Sequence, residues 1–127
     1  MGDRAVTLRE TYRAFNARHI DAALELMHPQ VDWPNAWEGG RVVGHAAVRE
    51  YWARQWSEID PHVEPLDVYV RDDGRVAVEV QQVVRSLDGT ILSDGRVTHV
   101  HTFVGDLVSR MDVEEAPGDE SAPSSQS

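Results

Sequence analysis

The feature that most constrains the fold is a change of hydrophobic period near Asp60-Pro61. Before this point apolar residues recur every three or four positions, which predicts amphipathic helices. After it apolar and polar residues alternate, which predicts strands, and the runs are separated by turn-forming pairs such as Gly105-Asp106. Helices followed by a run of long strands predict an α+β domain, with three N-terminal helices packed on a curved antiparallel sheet.

Among the three predicted helices the last has the clearest signals, because its apolar spacing is helical and Asp60-Pro61 ends it. A brief extended segment is expected where Pro34 favours β geometry in Trp33. The predicted helices span 6–19, 20–27 and 46–59, the extended segment 31–34, the loop after it 35–44, and the strands 63–70, 75–87, 90–104 and 107–113.

The composition limits the classes of function. A chain of 127 residues fits one domain, predicted over 3–115, and the polar, acidic segment 116–127 is predicted to be disordered. Without cysteine there is no disulfide framework and no thiolate nucleophile. A net charge of -10 argues against nucleic acid and anionic membranes as partners. With no leader-like start and no long apolar run, we expect a cytoplasmic protein with no membrane partner.

The segment 96–112 is predicted to be a hairpin with polar groups at alternate positions. A two-residue turn at Gly105-Asp106 would pair Val104 with Leu107. Directly opposed residues share one face of a sheet. The pairs that follow from this register are His101 with Arg110 and His99 with Asp112.

A second turn, at Asp88-Gly89, would pair Leu87 with Thr90. Counting back from it brings the valines of the preceding strand onto the histidine face, which we expect to be the concave face that the helices cover. The predicted pairs are Val76 with His101, Val78 with His99 and Val80 with Val97.

This face carries the candidate site. A carboxylate opposite an imidazole fixes its tautomer and raises its pKa, so the pair of His99 and Asp112 suits a general acid or base. Tyr12 or His101 would polarise a carbonyl group. The candidate catalytic residues are His99, Asp112, Tyr12 and His101, and the candidate ligand-binding residues are Trp33, Trp37, Trp52, Phe15, Val78, Gln82, Phe103 and Arg110.

Two interpretations of these residues stay open at this point. The histidines either line a pocket or are satisfied core groups, and Tyr12 either reaches a ligand or packs as core. A metal site is not predicted, because the His-x-His pair at His99 and His101 lacks the later histidine and the nearby glutamate that such a site needs. No phosphate loop or nucleophile elbow is present, so we expect no cofactor.

Four segments carry a resemblance to a known family: TYRAFNARHIDAALELM, VDWP, VGHAAVREYW and HVHTFVGDLVSRMD. Over 3–115 the chain resembles the cone-shaped fold of the nuclear transport factor two superfamily. Within it the chain is similar to the SnoaL-like branch, which includes polyketide cyclases and is related to ketosteroid isomerase. The resemblance places Tyr12 and His99 at the positions of that isomerase's two oxyanion donors. Trp33 stands where its general-base aspartate would be, and Asp32 is one residue away.

The resemblance implies a small-molecule-binding protein. The expected activity is that of a cofactor-independent isomerase, cyclase or dehydratase acting on a small hydrophobic cyclic carbonyl compound. The alternative is a non-catalytic ligand-binding or dimeric accessory module on the same fold. The resemblance also implies a homodimer through the outer sheet face, to which Leu92, Val100, Leu107 and Met111 are expected to contribute.

Overall fold

The computed structural model describes residues 4–35 and 39–115. The segment predicted to be disordered, 116–127, lies outside the described residues, as does Trp37. Within the described ranges no helix is both long enough and apolar enough to cross a membrane. The helices are α1 Arg4–Asn16, α2 Ile20–Glu25 and α3 His45–Glu58, and the strands are β1 Met27–Pro34, β2 Arg41–Val43, β3 Ile59–Val70, β4 Val76–Ser86, β5 Ile91–Val104 and β6 Leu107–Glu115.

The α+β class is as predicted, but the three helices are not all N-terminal to the sheet. Two short strands, β1 and β2, come before α3. The prediction treated β2 as loop, since a strand of three residues is too short to show alternation. It is held by antiparallel pairing, in which Asp32 faces Val43 and Trp33 faces Val42.

The six strands of the described ranges form one sheet in the order β2-β1-β6-β5-β4-β3. The last four strands form an antiparallel meander, whereas β1 runs parallel to β6 and brings Asp32 opposite Arg110. Helix α1 is fastened to the edge strand β3 by Asn16, whose side-chain amide donates to the Val63 carbonyl at 2.8 Å and accepts from the Val63 N–H at 2.9 Å. This pair of bonds imitates one step of a sheet ladder and fixes α1 over the concave face.

The turn at Gly105-Asp106 has the predicted register, with Val104 opposite Leu107 and Phe103 opposite Val108. One step further the register shifts, because Ser109 is an extra residue in β6 and Thr102 faces Arg110. The Ser109 hydroxyl donates to the Thr102 carbonyl at 3.1 Å and so satisfies an acceptor at the bulge. The predicted pairs of His101 with Arg110 and of His99 with Asp112 are therefore wrong. His101 faces Met111, and His99 faces Val113.

The register between β4 and β5 is as predicted, although the predicted turn is not. Val76 faces His101, Val78 faces His99 and Val80 faces Val97. The hairpin closes by a bond from the Ser86 N–H to the Thr90 carbonyl at 2.8 Å, not by pairing Leu87 with Thr90. This turn offsets the strands by one residue from the prediction. A register shift between Val84 and Arg85 removes the offset and restores the predicted alignment.

The core lies between the helices and the concave face of the sheet. Trp52 of α3 is 1% exposed and is the largest side chain that is fully buried. The face opposite it is rich in valine because β4 alternates Val76, Val78 and Val80 on one side. These branched side chains suit a pleated surface and leave room above it for aromatic rings.

Candidate functional site

A cavity of about 300 Å³ lies between α1, α3 and the concave face of the sheet. Most of its lining is aromatic or aliphatic, and no described residue that lines it is an aspartate, glutamate, lysine or arginine. The lining residues are Thr11, Tyr12, Phe15, Trp33, Pro34, Tyr51, Trp52, Gln55, Pro61, Val63, Gln82, Val84, Val97, His99, His101, Met111 and Val113.

Three polar side chains meet at the wall of this cavity, and we call Tyr12, His99 and His101 the inner cluster. The Tyr12 hydroxyl lies 2.8 Å from Nδ1 of His99 and 2.9 Å from Nε2 of His101. Helix α1 buries Tyr12 on its core side, and the two-residue period of β5 turns both histidines inward. Because a hydroxyl carries one proton, it donates to one imidazole and accepts from the other.

Aromatic contacts hold the inner cluster in place. The rings of Tyr12 and His99 are stacked with centroids 5.8 Å apart, and His101 meets Tyr12 edge-on at 5.9 Å. Trp33 lies beside His101 at 6.4 Å and packs edge-on against Trp52 at 5.7 Å. Edge-on and stacked pairs restrict each ring to a narrow range of orientations, so the polar atoms are pre-positioned.

Burial keeps the inner cluster uncharged near neutral pH. It lowers the pKa of His99 from its ordinary value of 6.5 to about 4. The pKa of His101 is also lowered, first by burial and then by the charge that a protonated His99 would carry. Burial raises the pKa of the Tyr12 hydroxyl well above 10. The expectation that Asp112 raises the pKa of His99 is thus wrong, because the bulge places that carboxylate on the other face.

Four charged side chains form a second group on the convex face, and we call Asp32, Arg41, Arg110 and Asp112 the outer cluster. Arg110 donates from Nη1 to Asp32 Oδ2 at 2.9 Å and from Nε to Asp112 Oδ2 at 3.0 Å. Arg41 donates from Nε to Asp32 Oδ1 at 2.5 Å and from Nη2 to the Met111 carbonyl at 2.7 Å. None of the four lines the cavity. Each carboxylate has two cationic partners.

The predicted ligand-binding residues divide between cavity and surroundings. Val78 is fully buried in the core but does not line the cavity, and Phe103 lies outside it with the Arg4 guanidinium 4.8 Å from its ring centroid. Arg110 belongs to the outer cluster. Trp37 lies outside the described residues. The predicted residues that do line the cavity are Phe15, Trp33, Trp52 and Gln82.

Sequence reasoning missed several lining residues. Tyr51 and Gln55 are one helical turn apart on α3, and the Gln55 amide donates to the Tyr51 hydroxyl at 3.3 Å. Their spacing was visible in the sequence, but it does not separate a cavity-facing residue from a core one. Met111 was expected on the outer face, and it turns inward because of the bulge. Among residues 4–35 and 39–115 no three histidine, aspartate or glutamate side chains are grouped to hold a metal ion.

Comparison with known proteins agrees with this architecture. The model of the SnoaL-like domain family matches residues 8–111. No curated protein matches the chain by sequence. Among solved structures, TerC co-crystallised with polyporic acid is 25% identical, covers 94% of this chain and 95% of its own, and superposes with a TM-score of 0.76.

Two further structures share the fold at lower identity. A candidate polyketide cyclase from Sinorhizobium meliloti is 20% identical, with 85% of this chain and 93% of its own covered and a TM-score of 0.72. A Mycobacterium tuberculosis protein in complex with estradiol-17beta-hemisuccinate is 14% identical, with coverages of 93% and 97% and a TM-score of 0.75.

Proposed function

Because this chain belongs to the SnoaL-like domain family, we propose that its cavity binds a small, uncharged, ring-containing carbonyl compound and that the chain acts on it as an acid/base enzyme of the isomerase, cyclase or dehydratase type. The observation that carries the proposal is the inner cluster. Its three uncharged polar groups are linked by hydrogen bonds of 2.8 and 2.9 Å in the wall of a cavity that is otherwise mostly apolar.

The lining of the cavity defines the class of ligand. Trp33, Trp52 and Phe15 offer flat apolar surfaces, which suit a ring. Among the described residues no lining side chain carries a formal charge, so a charged ligand would lose its hydration without gaining a counter-ion from them. Two similar solved structures hold small organic ligands, polyporic acid and estradiol-17beta-hemisuccinate, which supports extending ligand binding to this chain. Both of those ligands are acids, so the uncharged class proposed here rests on the described lining alone.

The chemistry follows from the place of His99. Its Nδ1 is engaged by Tyr12, which leaves Nε2 as the ring nitrogen that can meet a ligand. A carbonyl oxygen only accepts hydrogen bonds, so Nε2 must carry a proton when it binds one. If a C–H bond beside the carbonyl breaks, its electron pair moves onto that oxygen, and the His99 N–H stabilises the developing charge. The proton goes to a base supplied by the solution, such as hydroxide, since no carboxylate lines the described wall.

The proposal can be tested before a natural substrate is known. The probe is 1-indanone in D₂O, and proton NMR follows the replacement of the hydrogens beside its carbonyl by deuterium. We expect the protein to accelerate this exchange over buffer, and we expect Tyr12→Phe and His99→Leu to lower the acceleration by roughly tenfold or more. The matched control is Asp112→Asn, which alters the outer cluster and should retain the rate.

A second candidate function is a ligand-binding module without catalysis. It is favoured by the absence of a carboxylate from the described lining and by the lowered pKa of His99, which makes that imidazole a weak base. Quenching of tryptophan fluorescence reports binding directly, because Trp33 and Trp52 line the cavity. Binding of 1-indanone with no accelerated exchange would support the module, and the absence of both would overturn the ligand site.

We also propose that the chain forms the homodimer implied by its family, although not all of the residues expected at the contact can take part in it. Val100 and Met111 are buried within the chain, so neither can supply the outer contact expected of it. Leu92, which is 57% exposed, remains available. Sedimentation equilibrium of the wild type and of Leu92→Lys should show a dimer that the substitution weakens, whereas a monomer at all concentrations would contradict this proposal.

A further inference from the structure

One atom of the inner cluster has no role in the chemistry above. Nδ1 of His101 is buried and has no hydrogen-bond partner among the described residues. The whole side chain is 1% exposed, so bulk water does not reach it. Leaving a buried polar atom unpaired costs free energy, and the cost depends on whether that atom is a donor or an acceptor.

The shared Tyr12 hydroxyl couples this atom to the ligand side of His99. In one arrangement His101 donates from Nε2 to Tyr12, Tyr12 donates to Nδ1 of His99, and Nε2 of His99 carries the proton. In the opposite arrangement every bond is reversed, and Nε2 of His99 has no proton. The first arrangement leaves Nδ1 of His101 as a bare acceptor, whereas the second makes it an N–H without a partner.

The two arrangements differ in the free energy that it costs to leave Nδ1 of His101 unpaired. Among backbone groups, buried N–H donors without partners are rarer than buried carbonyl acceptors with an unused lone pair. The same order of cost, applied to the imidazole of His101, favours the first arrangement. At the other end, His99 lines the cavity, so its proton on Nε2 can be satisfied by a ligand or by water there. The direction of the hydrogen bonds is therefore decided at Nδ1 of His101, for which no described residue offers a partner.

We propose that His101 is a positioning residue, which acts through Tyr12 to fix the Nε2–H tautomer of His99 and thereby makes the cavity a hydrogen-bond donor to its ligand. The ligand class then narrows to ring compounds with an exposed oxygen acceptor, such as ketones and quinones. Ring compounds that can only donate are disfavoured. This last step rests on the proposed function, whereas the tautomers belong to the free protein.

The tautomers can be read from long-range proton–nitrogen NMR of protein labelled with ¹⁵N-histidine, without a ligand. Near pH 7 we expect the Nε2–H form for both His99 and His101. His101→Gln should keep the Nε2–H form in His99. If the glutamine amide donates to Tyr12, one of its two N–H bonds is satisfied, whereas both stay unpartnered if it accepts from Tyr12 instead. The ionised carboxylate of His101→Glu offers Tyr12 an acceptor only, so at a pH high enough to ionise this buried group the variant should convert His99 to the Nδ1–H form.

Ligand preference is the second readout, measured by fluorescence titration with 1-indanone, which only accepts, and indole, which only donates. The wild type and His101→Gln should bind 1-indanone more tightly by about three- to tenfold, and His101→Glu should reverse the preference. An Nδ1–H form of either histidine in the wild type would overturn the proposal, even if the carboxylate variant does not fold. Correct tautomers with no binding of either compound would instead reject the proposed function alone.

Discussion

The inner and outer clusters lie on opposite faces of one sheet, and their polar side chains are stabilised in opposite ways. In the inner cluster, Tyr12, His99 and His101 are nearly buried, uncharged and joined through one hydroxyl. In the outer cluster, Asp32 and Arg110 keep their charges, pair with each other at 2.9 Å and stay 28% and 44% exposed at their side chains. The concave face of the sheet thus carries polar side chains that are neutral near pH 7, and the convex face carries side chains that keep their charges.

The boundary between the two clusters runs between neighbouring residues of β6. Met111 faces the cavity, and Asp112 faces the outer cluster. Burying a charge without a partner is costly, whereas a methionine fills an apolar gap readily. One extra residue, Ser109, decides which of these side chains points inward. In a regular register Asp112 would face His99, whereas with the bulge Val113 faces His99 and Met111 faces His101.

The largest loss of unfolding free energy is expected when a charge is introduced on the cavity side of this boundary. Met111→Asp places a carboxylate in the wall opposite His101, where Met111 is 4% exposed. The variant should lose roughly 3–5 kcal/mol of unfolding free energy at pH 7, measured by urea denaturation. Part of the loss should be recovered at lower pH, as the carboxyl group becomes protonated.

The matched control for that variant is the next residue, Asp112→Asn. It removes a charge from a group that is 28% exposed, and the loss should stay below about 1 kcal/mol. Equal losses for the two substitutions would show that the two faces do not differ as described. A stable Met111→Asp protein at pH 7 would contradict the dry character of the inner cluster.

Acid should destabilise the fold through the inner cluster. The pKa of His99 is about 4 in the folded chain and near 6.5 in the unfolded chain. The unfolded state therefore binds more protons between these values, so stability that is fully present above pH 6.5 is lost as pH falls toward 4. The loss from this residue is on the order of 3 kcal/mol.

The measurement is the unfolding free energy from pH 7 to pH 4, in the wild type and in His99→Leu. The variant should show a flatter dependence. The control His62→Gln changes an exposed histidine and should keep the slope of the wild type. If His99→Leu keeps that slope as well, the imidazole of His99 is not the source of the acid sensitivity.

Much of the fold could be predicted from the sequence, because period and turn chemistry are local properties. The change of period at Asp60-Pro61 predicted the meander, and the alternation of β5 predicted that His99 and His101 share a face. Helix α3 was expected over 46–59 and spans His45–Glu58, since its apolar spacing and the following proline are both strong signals. The strand β2 was missed because three residues carry too little pattern.

The site was harder to predict, since it depends on features that have no local signal. Nothing in the sequence around Ser109 distinguishes a bulge from a regular step, yet this bulge sends Asp112 away from His99. The prediction located Tyr12 and both histidines but could not show that one hydroxyl joins them. That contact is between residues 87 and 89 positions apart, and only the packing of α1 on β5 creates it.

A smaller loss of unfolding free energy is expected when the Tyr12 hydroxyl, which joins the two histidines, is removed. Tyr12→Phe keeps the ring that stacks on His99 but leaves one nitrogen of each histidine without its partner. The unfolding free energy should fall by about 1–3 kcal/mol, as is usual when buried polar atoms lose a hydrogen bond. Thr11→Ser is the neighbouring control, because it retains a hydroxyl that can donate to the Thr7 carbonyl. A change below about 0.5 kcal/mol for Tyr12→Phe would show that both bonds are weak.

The smallest effect should come from the outer cluster and should depend on salt. Asp32→Asn removes the carboxylate that Arg41 and Arg110 share, and its exposure of 28% lets water and ions replace much of that attraction. The loss should be about 1 kcal/mol or less in low salt and should shrink further in 1 M NaCl. Tyr12→Phe should cost the same at both salt concentrations, because its bonds join uncharged groups. A salt-independent loss in Asp32→Asn would mean that the outer cluster contributes by packing and hydrogen-bond geometry, and not by charge.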